Sequence, residues 1–185
     1  MAKIILGFVG QIASGKDVSK KYLEKKYGAQ SCRFSTILRD VLTRIGVEIK
    51  RENLQKVSTA LRQTFGEDLL AMAISKDASN LNSDIVIVDG VRRLTDIVHL
   101  TSLPHFFLVK IEADPKLRYE RMKLRNENVG DDKKTYEDFL RDHEVEADRE
   151  IPAVMQTAKY SLDNNGSLED LYSQLDKLIT DLKGK

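Results

Sequence analysis

The segment Gly10-Gln11-Ile12-Ala13-Ser14-Gly15-Lys16-Asp17 constrains this chain more than any other. It follows an apolar, β-branched run, Lys3 to Val9, and leads into residues with helical spacing from about Gly15 to Tyr27. Gly10 and Gly15 with Lys16 after the second glycine have the spacing of a loop that wraps phosphate between a buried strand and a helix. A strand apolar on both faces and handed directly to a helix belongs to a parallel sheet covered by helices, so the fold class is α/β.

Similar short runs recur along the 185 residues. Besides Lys3 to Val9, the candidate strands are Ser31 to Phe34, Ile85 to Asp89, Phe106 to Ile111 and Tyr160 to Asp163, with Ser31 to Phe34 the weakest in pattern. Helical spacing covers Gly15 to Tyr27, Thr36 to Ile45, Glu52 to Phe65, Glu67 to Asn80, Leu94 to Leu100, Pro115 to Arg125, Tyr136 to Met155 and Leu168 to Leu182. Local chemistry marks several ends. Gly28 can close the first helix in a left-handed conformation, Asp114 and Pro115 cap and start another, and Ser167 with Asp170 makes a capping box with Asp in the Glu position. The densest charge lies in Asn126 to Glu150, which reads as an exposed mobile excursion and not as a second domain, so one domain is expected across residues 1–185.

Composition narrows the function classes. The chain holds 30 Lys or Arg against 29 Asp or Glu, which excludes a globally basic nucleic-acid coat. The balance is uneven: residues 1–62 carry a net +8 and the rest −7, so the first third is suited to handling an anion. No aromatic interleaving or RNA-binding signature accompanies that excess, and nucleic acid is not an expected partner. One cysteine, Cys32, excludes an internal disulfide framework and points to a cytoplasmic setting. No apolar run approaches the ~20 residues of a membrane span, so no membrane partner is expected. The stretch after Lys3 runs into the glycine loop instead of a small-residue cleavage site, which argues against a signal peptide.

At the loop, the backbone N–H groups of Ile12, Ala13, Ser14, Gly15 and Lys16 are expected to wrap nucleotide phosphates, while the new helix points its positive end at the anion. Gly10 permits the turn, and Asp17 and Val18 complete the candidate nucleotide-binding set. Lys16 would bridge β- and γ-phosphate oxygens. Asp17 stands where a hydroxyl residue usually ligates magnesium; a carboxylate can hold Mg²⁺, but its charge repels phosphate unless the metal intervenes. The run Ile85 to Asp89 delivers a second carboxylate to the carboxyl edge of the sheet, so Asp17 and Asp89 are the candidate metal residues. Arg92 and Arg93 follow directly and could aim a guanidinium at the transferring or acceptor phosphate. Arg118, Arg121 and Arg125 share one helix face and could clamp phosphates, or form a solvated face. Arg39 and Arg62, on separate helices of the basic third, are candidate acceptor-binding residues. Asn165, beside Asn164 and Gly166 after the last strand, lies where a base could be read, a place that turn formation explains equally well. His99 and His143 carry no convincing partner pattern, His105 after Pro104 marks a loop at a strand entrance, and Cys32 reads as a buried thiol.

On these residues the chain resembles the P-loop nucleotide kinases, including the nucleoside monophosphate kinases and dephospho-CoA kinases. It looks closest to an uncharacterised, mainly archaeal branch that is dephospho-CoA-kinase-like or adenylate-kinase-related. The resemblance runs through Gly10 to Asp17, Leu54 to Gly66, Val88 to Arg93, Ala113 to Arg121 and Asp163 to Leu171. It implies a five-stranded parallel sheet ordered 2-3-1-4-5, an acceptor-binding helical region at about residues 35–80, a short lid at about 126–150, and ATP and Mg²⁺ as cofactors. Ser35 to Arg39 is similar to the monophosphate-binding segment of adenylate kinases but lacks its Gly-Asp pair, and Arg39 is carried over on that match. Asp89-Gly90-Val91-Arg92-Arg93 is similar to their Asp-Gly-aromatic-Pro-Arg segment, which matches Arg93 by spacing, while the closer branch favours Arg92. The Lys-Asp loop ending is similar to that of phage-type deoxynucleoside monophosphate kinases and animal-type phosphomevalonate kinases, whereas Asp163 to Glu169 looks like the end of dephospho-CoA kinases.

The expected activity is ATP-dependent transfer of a γ-phosphoryl group to a small nucleotide-like acceptor, with Lys16, Asp89, Arg92, Arg93, Arg121 and Arg125 as its catalytic group. The alternative is a nucleotide-binding switch or regulatory NTPase, in which Asn126 to Glu150 responds to nucleotide and contacts a partner.

Overall fold

In the computed structural model, which describes residues 3–125, 134–141 and 149–184, the strands form one parallel sheet ordered β2-β3-β1-β4-β5. They are β1 (Ile4–Val9), β2 (Gln30–Arg33), β3 (Ile85–Asp89), β4 (Phe106–Glu112) and β5 (Tyr160–Asp163). β1 and β3 are buried at every residue, as strands covered on both faces must be. Alternation divides β1 between two cores. Ile4, Leu6 and Phe8 join Ile85, Ile87, Val109 and Ile111 beneath α1 (Lys16–Tyr27) and α9 (Leu168–Lys183). Ile5 and Val9 join Val86, Val88 and Leu108 on the opposite face, beneath α2 (Phe34–Arg44), α4 (Leu69–Asn80) and α8 (Ile151–Thr157). The remaining helices are α3 (Arg51–Phe65), α5 (Leu94–Ile97), α6 (Pro115–Arg125) and α7 (Tyr136–Arg141).

The observed order is the expected 2-3-1-4-5. Because β1 sits between β3 and β4, the connection leaving β1 runs toward β2 at one edge while that leaving β4 runs toward β5 at the other, and the crevice so opened lies at the carboxyl ends of the strands. The loop Gly10–Asp17 and Asp89 both emerge there. Helix ends follow local chemistry: Gly28 closes α1 in the left-handed region, and Ser167 with Asp170 forms the reciprocal capping box of α9 at 3.0 and 3.1 Å.

Three expectations need correction. Phe34 is not a strand residue but the first residue of α2, buried against the second core. The helix expected over Leu94 to Leu100 is α5 plus a separate 3-10 turn, Leu100–Ser102. The single helix expected over Tyr136 to Met155 is α7 and α8, with a turn at Arg149 and Glu150; Pro152 falls in the first turn of α8, where its missing N–H leaves no carbonyl orphaned. Of the excursion Asn126 to Glu150, residues 126–133 and 142–148, including His143, lie outside the described residues. The described part is packed and not exposed throughout, for Phe139 is fully buried against Tyr119 of α6. Among the described residues no helix is long and apolar enough to cross a membrane.

Candidate active site

The loop leaves β1 through Gly10 and bends through Ala13 and Gly15, which have φ of 59° and 111°. Left-handed residues in such a turn make a concavity of backbone N–H groups suited to an anion. The glycines are sterically required: a Cβ at Gly10 would lie 2.5 Å from the Ile111 carbonyl oxygen, and one at Gly15 would strike the Asn164 amide. Ser14 N–H closes a turn on the Gln11 carbonyl at 3.2 Å, and Lys16 Nζ donates to the carbonyls of Gly10 and Gln11 at 2.5 and 3.0 Å. The lysine ammonium therefore lies across the loop. Val18 packs into the core beneath α1 and α9 and anchors the helix start.

Polar side chains brace the loop from outside. Asn164, buried just after β5, donates Nδ2 to the Ser14 carbonyl at 2.8 Å. Arg118, only 2% exposed, donates to the Ile12 carbonyl at 3.3 Å and to the Ala113 carbonyl at 3.1 Å, with its guanidinium 5.3 Å from the Phe139 ring centre. Arg121 donates to the Asn164 carbonyl at 2.9 Å, and Arg125 Nη1 lies 3.2 Å from Asp17 Oδ2. Arg118 is thus buried and Arg121 half-buried, while Arg125 is exposed at the end of the stripe: α6 follows β4, the neighbour of β1, and its stripe runs along the loop. Asn165 does turn chemistry here, accepting from Asp114 N–H at 2.7 Å and donating to Asp163 at 2.6 Å.

The acid side is set by strand register. Arg33, the last residue of β2, stands opposite Asp89, the last of β3. Arg33 Nε and Nη2 donate to Asp89 Oδ2 at 2.8 and 2.6 Å, and Lys20 Nζ donates to the same oxygen at 3.1 Å. Burial pushes the Asp89 carboxyl up, but Arg33 and Lys20 outweigh it and hold the group below its ordinary value. Asp17 shares these cations, with Arg33 Nη2 at 3.4 Å and Lys20 Nζ at 3.6 Å. Lys20 on α1 is therefore part of the site. Arg33 carries no motif at all. The available signal was its place at a strand's carboxyl end, the same signal that picks out Asp89.

The acceptor candidates separate. Arg39 is exposed on α2, and Arg92 is exposed after β3. Arg93 lies 3.6 Å from Glu67. Arg62 is not available to an acceptor in this arrangement, being 6% exposed with Nη2 2.7 Å from Asp96 Oδ1. Asp96 Oδ2 in turn accepts the N–H groups of Arg92 and Arg93, each at 3.0 Å, so Arg62 holds the loop that carries the two arginines. His99, read as partnerless, has Nε2 2.8 Å from Asp68.

Among the described residues, no group of three or more His, Cys, Asp or Glu could enclose a metal ion. Asp17 and Asp89 are nonetheless close enough for one guanidinium to touch both. Two carboxylates at a phosphate loop fit Mg²⁺, which takes its other ligands from phosphate and water and needs no protein cage.

No family model matches the chain. The fold is similar to that of shikimate kinase from Bacteroides thetaiotaomicron, at 13% identity and a TM-score of 0.63 over 97% of this chain and 98% of that one. It is also similar to shikimate kinase from Acinetobacter baumannii in complex with shikimate, at 15% identity and a TM-score of 0.59 over 99% and 96%. At these identities the likeness shows the fold alone. UPF0200 protein MJ1399 of Methanocaldococcus jannaschii is 27% identical over 181 residues, 97% of this chain and 90% of its own. UPF0200 protein TK1334 of Thermococcus kodakarensis is 34% identical over 190 residues that span 100% of both chains, and on that relationship the chain belongs to the UPF0200 family.

Proposed function

We propose that this chain is an ATP- and Mg²⁺-dependent phosphotransferase acting on a small acceptor, a nucleoside or deoxynucleoside monophosphate or dephospho-CoA. One observation carries the reading: a braced phosphate loop with Lys16 across it sits at the carboxyl edge of a parallel sheet, with the Asp89 carboxylate at the end of the adjacent strand. Phosphoryl transfer asks the protein for positioning and charge neutralisation more than for covalent chemistry. The loop N–H groups and Lys16 bind the donor phosphates, moving the ammonium from loop carbonyls to phosphate oxygens. When bound to Asp17 and Asp89, Mg²⁺ would neutralise phosphate charge. Arg121 and Arg125 stand along the loop to meet charge on the transferring group, and Arg92 or Arg93 faces it from the end of β3. Arg39 would receive an anionic group of the acceptor on the side of α2, and Asn165 would border the nucleotide base.

One domain over residues 1–185, with the acceptor region at about 35–80 and a lid at about 126–150, accompanies this reading. The test is ADP release with ATP, Mg²⁺ and a panel of nucleoside monophosphates, deoxynucleoside monophosphates and dephospho-CoA, with shikimate included because the two solved structures described above are shikimate kinases. Turnover with one acceptor and loss of it in Lys16→Ala is the expected result. Nucleotide binding without any acceptor-stimulated ADP release would favour the switch reading.

A further inference from the structure

Arg33 has no part in the donor and acceptor contacts above, yet it ties the two candidate metal carboxylates together. Its position is built in by backbone pairing, since Arg33 and Asp89 are Cα partners in the β2–β3 ladder. Two of its N–H groups converge on Asp89 Oδ2, at 2.8 and 2.6 Å, and the second reaches Asp17 Oδ1 at 3.4 Å. Lys20 adds a third donor to the same Asp89 oxygen at 3.1 Å. The carboxylate is nearly buried, with a side chain 10% exposed, while Arg33 is 44% exposed and can move into solvent. A guanidinium and a divalent cation at the same carboxylates repel each other, and one carboxylate oxygen cannot serve three N–H donors and a metal together.

We propose that Arg33 is the resident counter-ion of the Asp17 and Asp89 pair and competes with Mg²⁺ for it, so that Arg33 sets the metal concentration at which nucleotide is retained. This rests on the nucleotide reading above and adds to it a residue that governs metal dependence. The competition has a definite sign. A residue that merely supports the site makes metal-nucleotide binding worse when removed, whereas a competitor makes it better.

The experiment follows binding, not turnover. Full-length protein and mant-ATP at fixed concentrations are titrated with Mg²⁺, and fluorescence anisotropy gives the metal midpoint for wild type, Arg33→Gln, Arg33→Lys and Lys20→Gln. Arg33→Gln should lower the midpoint about tenfold, the size expected for losing a charge-assisted contact. Arg33→Lys and Lys20→Gln should lower it by smaller factors, and Mn²⁺ should give the same ranking. An unchanged or raised midpoint in Arg33→Gln overturns the competition. If that variant does not fold by circular dichroism, the other two decide, and a midpoint lowered in neither overturns it equally. Wild type that retains no mant-ATP at any Mg²⁺ concentration defeats the nucleotide reading and the competition together; retention with an unmoved midpoint defeats the competition alone.

Discussion

The loop Gly10–Asp17 is gripped from several directions, by Asn164 under Ser14, by Arg118 on Ile12 and by Arg125 on Asp17. The arm from α2 to α3 is held differently: Arg39 stands in the open, and Ile45 and Phe65 are 61% and 66% exposed. The contrast is one of preorganisation. The polar braces fix the loop in advance, so that under the proposed function its N–H groups would need little rearrangement to meet phosphate. The α2–α3 arm keeps a deep polar anchor, Arg62 on Asp96, and that anchor serves the loop bearing Arg92 and Arg93 more than it serves the arm's own surface.

Four measurements can break or sharpen that contrast. The largest effect belongs to the donor side: Lys16→Ala should lower acceptor-dependent ADP release by about a thousandfold, the scale of losing a charge stabiliser of the transferring group. A loss under tenfold would remove the loop from the chemistry. Next, Arg62→Met should destabilise the fold by about 3 kcal/mol, because it leaves the Asp96 charge buried without its guanidinium. Urea unfolding monitored by circular dichroism checks this, and a change below about 1 kcal/mol would mean the arm is anchored elsewhere.

Asn164→Ala should cost about 1–3 kcal/mol by stranding the Ser14 carbonyl. The same variant should weaken mant-ATP binding more than Arg39→Ala does, since only the first loosens the donor loop. Equal effects would erase the distinction between a braced loop and an open arm. The smallest effect is on pH. Asp89 is held below its ordinary value of 3.8 by Arg33 and Lys20, against burial. Its contribution to stability is therefore complete above pH 3.8 and is lost as pH falls through the lower folded value. Thermal melts between about pH 5 and pH 2 should fall less steeply in Asp89→Asn than in wild type. A parallel fall in the two proteins would show that Asp89 gains no net support from its cations.

Much of the donor side was legible in the residue order. The glycine spacing, the apolar runs and the acid at the end of Ile85 to Asp89 are local patterns, and each reports a local requirement of backbone or burial. The braces were not legible in that way. Asn164 meets Ser14 across 150 positions, Arg118 meets Ile12 across 106, and Arg33 meets Asp89 across 56. No periodicity marks a contact at such separations. The Arg62–Asp96 pair was hidden for the same reason: its spacing places Arg62 on a helix in a basic third of the chain, and nothing local tells a phosphate ligand from half of a buried pair.

By itself, the sequence determined that this chain is an α/β protein with a glycine-lysine loop of phosphate-binding spacing between its first strand and first helix. Side-chain alternation along a strand and helix capping depend on neighbours only a few residues away, whereas glycine at positions 10 and 15 is also enforced by Ile111 and Asn164 from far along the chain. The tertiary structure decided which cation meets which carboxylate. Long side chains such as Lys20, Arg33 and Arg125 can reach many partners from one backbone position, and only the strand order and the register of β2 on β3 bring Arg33 to Asp89 and leave Arg39 in solvent.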